Sequence, residues 1–589
     1  MNNQITFKYL WTLLLNKKKH LIIGQIITII AILISIPIPL MLPALVDEVL
    51  LNKPDFFVNN INTLIGKGSA FYYIAIVTIC VIFLRFIHFL FSAIITKLFT
   101  SIAKYITFKI REKLLNHLKN VCMNEYETLG SGAIAANLIT DVNTLDNFII
   151  TGASKFIASI LTLIAVSFVL IAIHPILGLM ILIIQPIIMI LSKKIAKSVG
   201  TLKKEENSAI EKFQNNLGEV LELFGQIKAS NKERYFFTQS IKRAKQVKDT
   251  SNEFNYKSIA YERFSFTIFL AAFEILRAAG LLMVAYSDLS IGMMFAMFGY
   301  IWFIMTPVQD ILSMQYSYAQ AKAALERINK ILELKIETSG NTLLSKQNDF
   351  SIELRNLFFS YNSEKETLKN ISLKIQPKDK IALIGASGSG KTTLAQIIAS
   401  FYTKNSGELF YNNIKIEELN KESIRDNIFL VLQMPILFNN TLRFNITMGN
   451  DKIDDLEIYK ALEIAQLKEN IDKMPKGLDT IVGKHGIRLS GGQRQRLSIA
   501  RMIIANPKVV IFDESTSALD VPTETKLFDA LKPILENKTV ITIAHRLSTV
   551  KNAKKIYVLE EGELVQTGTH EELEKVEGHY TKFVKNQLI

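Results

Sequence analysis

Two stretches of this chain are suited to holding phosphate. The first, Gly385-Ala386-Ser387-Gly388-Ser389-Gly390-Lys391-Thr392, has glycines whose backbone amides can wrap a β-phosphate. Lys391 then reaches the β/γ oxygens, and the Thr392 hydroxyl ligates Mg²⁺. The second, Leu489-Ser490-Gly491-Gly492-Gln493-Arg494-Gln495-Arg496, places a hydroxyl and bare amides where a helix begins, which makes an anion site. Shortly after it, Lys508-Val509-Val510-Ile511-Phe512-Asp513-Glu514 reads as a buried strand that brings two acids to a catalytic edge. Asp513 would hold the metal with its water shell, and Glu514 would take a proton from an attacking water. A single nucleotide has one γ-phosphate. Two cradles on one chain therefore raise the question of which phosphate the second one holds.

Strand, loop and helix must position the first cradle. Lys380–Ile384 is predicted as the strand before it and Thr392–Ser400 as the helix after it. A helix is likewise predicted over Gln493–Ile504. Together these elements predict an α/β P-loop nucleotide-binding domain over residues 351–589.

The preceding residues have a different character. The chain has 589 residues, too many for one ordinary domain, and 49% of them are hydrophobic. Mean hydropathy is +0.24, more than soluble domains usually carry. Net charge is +14, with 33 Lys+Arg against 30 Asp+Glu in residues 351–589 and 35 against 24 in the rest. The basic excess thus sits with the apolar part, which points to a membrane and away from nucleic acid. The two cysteines, Cys80 and Cys122, have neither metal spacing nor the density of a disulfide framework.

Six apolar runs, near 21–43, 71–96, 152–173, 176–196, 264–286 and 291–312, are each long enough to cross a bilayer. His174-Pro175 separates the third from the fourth, because proline cannot continue the preceding helix. Asp288 and Gly292 separate the last two in the same way. Six lysines or arginines fall in 97–119 and 15 in 193–263, while 174–176 and 287–292 contain none. By the positive-inside rule both termini are cytoplasmic. The expected organisation is an interfacial helix in 1–20, an α-helical six-span domain over 21–320, a linker over 321–350 and then the nucleotide-binding domain. The loops 97–150 and 193–263 keep a helical period, so the spans are expected to continue into the cytoplasm as helices. Met1–His20 lacks a cleavable-signal pattern. Residues 5–15 read as an amphipathic helix lying on the membrane interface.

With these motifs the chain resembles the ATP-binding-cassette (ABC) transporters, of the type with six spans fused ahead of one cassette. Leu489–Gln493 matches the family signature, and the other stations follow in order. The resemblance implies that Tyr361 stacks on adenine and that Gln433 touches Mg²⁺ and water. It implies that Ser517-Ala518-Leu519-Asp520 crosses a dimer interface and that His545 is a switch near the γ-phosphate. Catalysis would then rest on Glu514, His545, Gln433 and Lys391. ATP would be held by Tyr361, residues 385–392, Thr393, Ser490, Gly491, Gly492, Gln493 and Asp520, and Mg²⁺ by Thr392, Gln433 and Asp513. Gly132, Asp141, Pro307 and Arg327 look like those of six-helix exporters. Two chains would make twelve spans and sandwich two ATP molecules head to tail, as a homodimer or a heterodimer. Short helices in the loops 97–150 and 193–263 would carry cassette closure into the membrane. One departure stands out: the family's Glu-Val-Gly-Glu before the signature is Ile481-Val482-Gly483-Lys484 here, which alters a segment that normally meets those loops.

The cargo is less legible. Arg85 and His88 fall in the second span and Glu274 and Arg277 in the fifth, to line a chamber or simply to pair. Pro37, Pro39 and Pro43 predict a kinked first span. Mostly apolar walls suit lipids, hydrophobic drugs or apolar peptides better than ions or sugars. The expected activity is ATP-driven export or flipping of amphipathic molecules across a plasma membrane, the inner one in a bacterium. A siderophore-type importer on the same fold is one alternative. A non-transporting ATPase or channel regulator is the other, opposed by the six spans and by the retained Glu514 and His545.

Overall fold

The computed structural model describes residues 4–344, 350–361, 365–483, 486–514, 519–544 and 547–588, with the side chains of 153, 184–199, 262, 265, 312, 315–316, 548–549 and 586–588 outside that description. His545, Arg546, Ser517, Ala518 and Lys484 lie outside the described residues. The chain divides into two compact units, residues 1–115 with 135–332, and residues 116–134 with 333–589.

The first unit is helical. Among the described residues, five of its helices are long and apolar enough to span a membrane: Lys18–Leu50, Ala70–Leu118, Ser131–Ile173, Glu233–Tyr286 and Ile291–Ile311. The remaining expected span, 176–196, lies on the 48-residue helix Pro175–Glu222. His174 breaks the chain as the sequence predicts. It adopts an extended backbone, and its Nδ1 accepts from the Leu177 amide 3.3 Å away, capping the helix that Pro175 begins. The prolines of the first span divide it into Lys18–Ser35, Pro37–Pro43 and a wider π turn over Ala44–Leu50. Each proline lacks an amide and so leaves a carbonyl without its usual helical donor. Helices outrun the bilayer as expected, reaching 49 residues in Ala70–Leu118 and 54 in Glu233–Tyr286. The last helix continues to Glu333, into the stretch expected as linker.

The N-terminal helix Phe7–Leu15, expected to lie on a membrane interface, packs one face against the helices of its own unit. Leu10, Leu13 and Leu14 are buried, and Phe7 stacks on Tyr318 at 5.0 Å and meets Phe148 edge-on at 5.6 Å. The Asn329 side chain accepts from the Ile5 amide at 2.7 Å and donates to the Ile5 carbonyl at 2.9 Å. Trp11 and Leu15 remain exposed on the opposite face.

Farther along, Arg327 forks onto Asp141, with Nη2 2.6 Å from Oδ1 and Nε 3.1 Å from each oxygen. Asp141 is buried while Arg327 is half-exposed. Replacing Arg327 with Ala strands a buried carboxylate, at a cost of roughly 1–3 kcal/mol, less than for a fully buried pair because water reaches the arginine. A lowered midpoint of thermal unfolding in detergent is expected, partly restored in Arg327→Lys. An unchanged midpoint would show that the pair contributes no stability.

Among the described residues the second unit holds three sheets, the smallest a two-stranded pairing of Asn440–Thr441 with Ile481–Val482. Its six-stranded sheet runs in the order Glu563–Gly568, Lys555–Glu560, Lys380–Gly385, Thr539–Ile543, Val509–Asp513 and Ile428–Val431. All neighbours pair in parallel except the edge strand Glu563–Gly568. Val509–Asp513 is buried at every position, as a strand covered on both faces must be. A four-stranded antiparallel sheet, Leu368–Ile375, Ile352–Phe359, Ser406–Tyr411 and Ile414–Lys415, ends one strand just before Tyr361.

Candidate functional site

The site forms where the parallel strands end, which is where open α/β sheets bind ligands. Strand Lys380–Gly385 runs into the phosphate loop, and helix Lys391–Ile398 leaves it. Two glycines are required there. Gly385 has φ +151°, and a Cβ would lie 2.1 Å from the Leu559 carbonyl oxygen. Gly390 has φ +98°, and a Cβ would lie 2.7 Å from Leu368 Cδ2. Any side chain would therefore deform the loop.

Lys391 is 6% exposed and folds back onto the loop, where Nζ donates to Gly385 O at 3.0 Å and Ala386 O at 2.8 Å. Burial lowers its pKa, and the nearby Glu514 and Asp513 charges oppose that shift. Thr392 Oγ1 donates to Asp513 Oδ1 at 3.1 Å. The next residue of that strand edge, Glu514, accepts from Gln433 Nε2 at 2.7 Å. Glu514 has φ +46°, a left-handed backbone that a non-glycine residue adopts at a cost of order 1–3 kcal/mol. Three strand ends thus bring Thr392, Asp513, Glu514 and Gln433 together. Tyr361 also reaches the phosphate-loop helix, its hydroxyl 3.0 Å from Thr393 Oγ1.

The second cradle caps helix Gly491–Ala505. Ser490 Oγ accepts from the Gln493 amide at 3.2 Å, and the Gln493 side chain accepts from the Ser490 amide at 2.8 Å. Such a reciprocal cap contributes about 1 kcal/mol to the helix. Buried Gln495 donates to the Gln433 carbonyl at 3.1 Å, tying this helix to the first site, a link not foreseen from sequence. Among the described residues, no hydrogen bond joins Ser490, Gly491 or Gly492 to the phosphate loop. Asp520 serves helix Val521–Leu535, its carboxylate accepting from the Thr523 amide at 3.1 Å and the Thr523 hydroxyl at 3.0 Å. Those hydrogen bonds hold its pKa low. Within the departing segment, Ile481–Val482 forms a short strand against Asn440–Thr441.

In the membrane helices Glu274 and Arg277 pair with each other, one helical turn apart. His88 Nδ1 lies 3.1 Å from the Ala31 carbonyl, tying the second span to the first.

Comparison with known proteins agrees with both halves. Residues 21–308 match the ABC transporter transmembrane region and 368–517 the ABC transporter domain. The ATP-dependent lipid A-core flippase of Desulfotalea psychrophila is 31% identical over 479 residues, which is 80% of this chain and 82% of that one. YgaD of Bacillus subtilis, named as a multidrug export ATP-binding/permease protein, is 30% identical over 81% of this chain and 83% of its own length. The solved structure of a bacterial Atm1-family ABC exporter with ATP bound superposes with a TM-score of 0.82 over 97% of this chain and 99% of that chain, at 22% identity, a likeness of fold. A phosphate loop, paired acids and a signature helix on one cassette, fused behind a membrane region, leave one assignment: the chain is a multi-pass, ATP-hydrolysing member of the ABC transporter family, of the exporter type.

Proposed function

We propose that two copies of this chain form an alternating-access dimer that exports or flips amphipathic molecules (lipids, drugs or apolar peptides) across a bacterial inner membrane, with both termini cytoplasmic. The observation that carries the catalytic part is the meeting of Thr392 with Asp513 and of Gln433 with Glu514 where the parallel strands end. Glu514 accepts the proton of the attacking water, and Gln433 holds that carboxylate in place. Lys391 exchanges its loop carbonyls for phosphate oxygens. Ser490, Gly491 and Gly492 present amides to the partner copy's nucleotide. The Thr392 hydroxyl and Asp513 carboxylate, 3.1 Å apart, are hard oxygen donors that fit Mg²⁺, with Gln433 beside them. Bound there, the ion would neutralise charge on the nucleotide's phosphates. His545 is proposed as the switch near the γ-phosphate, and Asp520 as part of the loop that crosses the dimer.

The relatives named for lipid A-core flipping and multidrug export support an amphipathic cargo. So does the pairing of Glu274 with Arg277, which leaves two of the candidate charges net neutral as a pair. The test is ATPase stimulation of purified, reconstituted protein across a panel of lipids, drugs and apolar peptides, then ATP-dependent movement of any hit in vesicles. Stimulation and outward movement of at least one apolar compound are expected. Inward movement alone would replace export with import, and turnover without movement of any stimulating compound would make the protein a non-transporting ATPase.

A further inference from the structure

The stretch 116–134 lies between two long helices of the first unit, yet by its contacts it belongs to the second. Two backbone hydrogen bonds fix it there. The Cys122 amide donates to the Lys335 carbonyl at 2.9 Å, and the Glu337 amide donates to the Asn120 carbonyl at 2.7 Å. Helix Met123–Leu129 follows directly.

From that helix Glu127 reaches the cassette. The Tyr402 hydroxyl donates to its carboxylate, 3.0 Å from Oε1 and 2.9 Å from Oε2. Tyr402 is 7% exposed and lies four residues beyond the end of the phosphate-loop helix. Its ring meets Tyr361 edge-on at 5.2 Å and Phe359 at 5.7 Å, and Tyr361 meets Phe359 edge-on at 5.0 Å. The three rings close a triangle in which Tyr361 is the exposed corner, 40% accessible. Edge-on ring contacts are directional, so the tilt of Tyr361 depends on where Tyr402 is held. Burial, with Glu127 beside it, raises the Tyr402 pKa well above the ordinary phenol value. The hydroxyl therefore remains a donor at all physiological pH, and the carboxylate is its charge-assisted acceptor.

We propose that Glu127 and Tyr402 are positioning residues for the adenine side of the nucleotide site. Glu127 holds Tyr402, Tyr402 sets the tilt of Tyr361, and a shift of helix Met123–Leu129 changes ATP affinity without touching the hydrolytic residues. The proposal rests on the reading of Tyr361 as the residue that receives the base. Neither Glu127 nor Tyr402 belongs to a nucleotide motif, and 275 residues separate them.

The test measures ATPase rate against ATP concentration for the purified full-length protein. Tyr402→Phe keeps the ring and loses the donor, so it should fold. Both Tyr402→Phe and Glu127→Ala are expected to raise KM for ATP about three- to tenfold, a fraction of what one charge-assisted hydrogen bond contributes because the effect on ATP is indirect, with kcat within about twofold. Glu127→Gln keeps an acceptor and should fall between wild type and Glu127→Ala. In a Tyr361→Ala background, Tyr402→Phe should add no further increase, because coupled residues are not additive. Unchanged KM in Tyr402→Phe, alongside a raised KM in Tyr361→Ala, would overturn the link alone. An unchanged KM in Tyr361→Ala would overturn the reading of Tyr361 and the link with it. An additive increase in the double variant would mean that Tyr402 acts on the nucleotide by another route, and would also overturn the proposal.

Discussion

Replacing Glu514 with Gln is expected to stop turnover while leaving ATP bound. The substitution keeps volume and shape, and its side-chain oxygen can still accept from Gln433 Nε2, now 2.7 Å from Glu514 Oε2. The left-handed backbone at this position, φ +46°, is inherited from the strand end and should persist. What disappears is the basic carboxylate. General-base catalysis contributes about 10²–10⁴-fold, so phosphate release should fall by that factor, equivalent to about 3–5 kcal/mol of barrier. Binding groups are untouched, so ATP should accumulate in a closed dimer and remain with the protein through rapid desalting. A variant that hydrolyses ATP at the wild-type rate would remove Glu514 as the base. Lost turnover with no retained nucleotide would mean that the substitution damaged binding instead.

Lys391→Ala should fail at an earlier step. The ammonium is nearly buried, and it donates to the loop's own Gly385 and Ala386 carbonyls and to the Ser389 hydroxyl. Burial lowers its pKa while the Glu514 and Asp513 charges oppose that shift, and a phosphate anion would further favour the charged form. Removing it takes away a preorganised positive group at the developing γ-phosphate charge, and losses of roughly 10²–10³-fold in turnover are typical for one such group. Nucleotide affinity should fall too, which separates this variant from Glu514→Gln. The fold should survive, since the core strands Lys380–Gly385 and Val509–Asp513 do not depend on this side chain. Phosphate release and nucleotide retention, measured side by side for the two variants, check both expectations. A Lys391→Ala protein with wild-type turnover would sink the phosphate-loop assignment.

The motifs that were legible are those whose geometry is local. Residues 385–392 form their loop from glycines and one lysine within a single turn of chain, so type and spacing suffice. The cap made by Ser490 and Gln493 spans three residues and is equally local. The break at His174-Pro175 follows from proline's fixed backbone. Span lengths follow from bilayer thickness, although the sequence alone stops the last helix at 312 where the structure carries it to Glu333. The part beyond 312 is more polar yet keeps a helical period, so composition marks the end of the apolar run and not the end of the helix.

Sequence by itself determined the class of this protein: apolar helices of bilayer length, a phosphate loop, paired acids after a buried strand and a signature helix. Each is a short-range pattern, set by steric and solvation rules acting over a few neighbouring residues. Tertiary structure alone decided which groups meet: Gln433 with Glu514 across 81 residues, Tyr361 with Thr393 across 32, Ile5 with Asn329 across 324 and Glu127 with Tyr402 across 275. Such pairings depend on how the sheet orders its strands and where distant helices return. Residue type does not encode that, because a carboxylate near a tyrosine or an amide is chemically reasonable at many positions and is selected at one only by the packing of everything between.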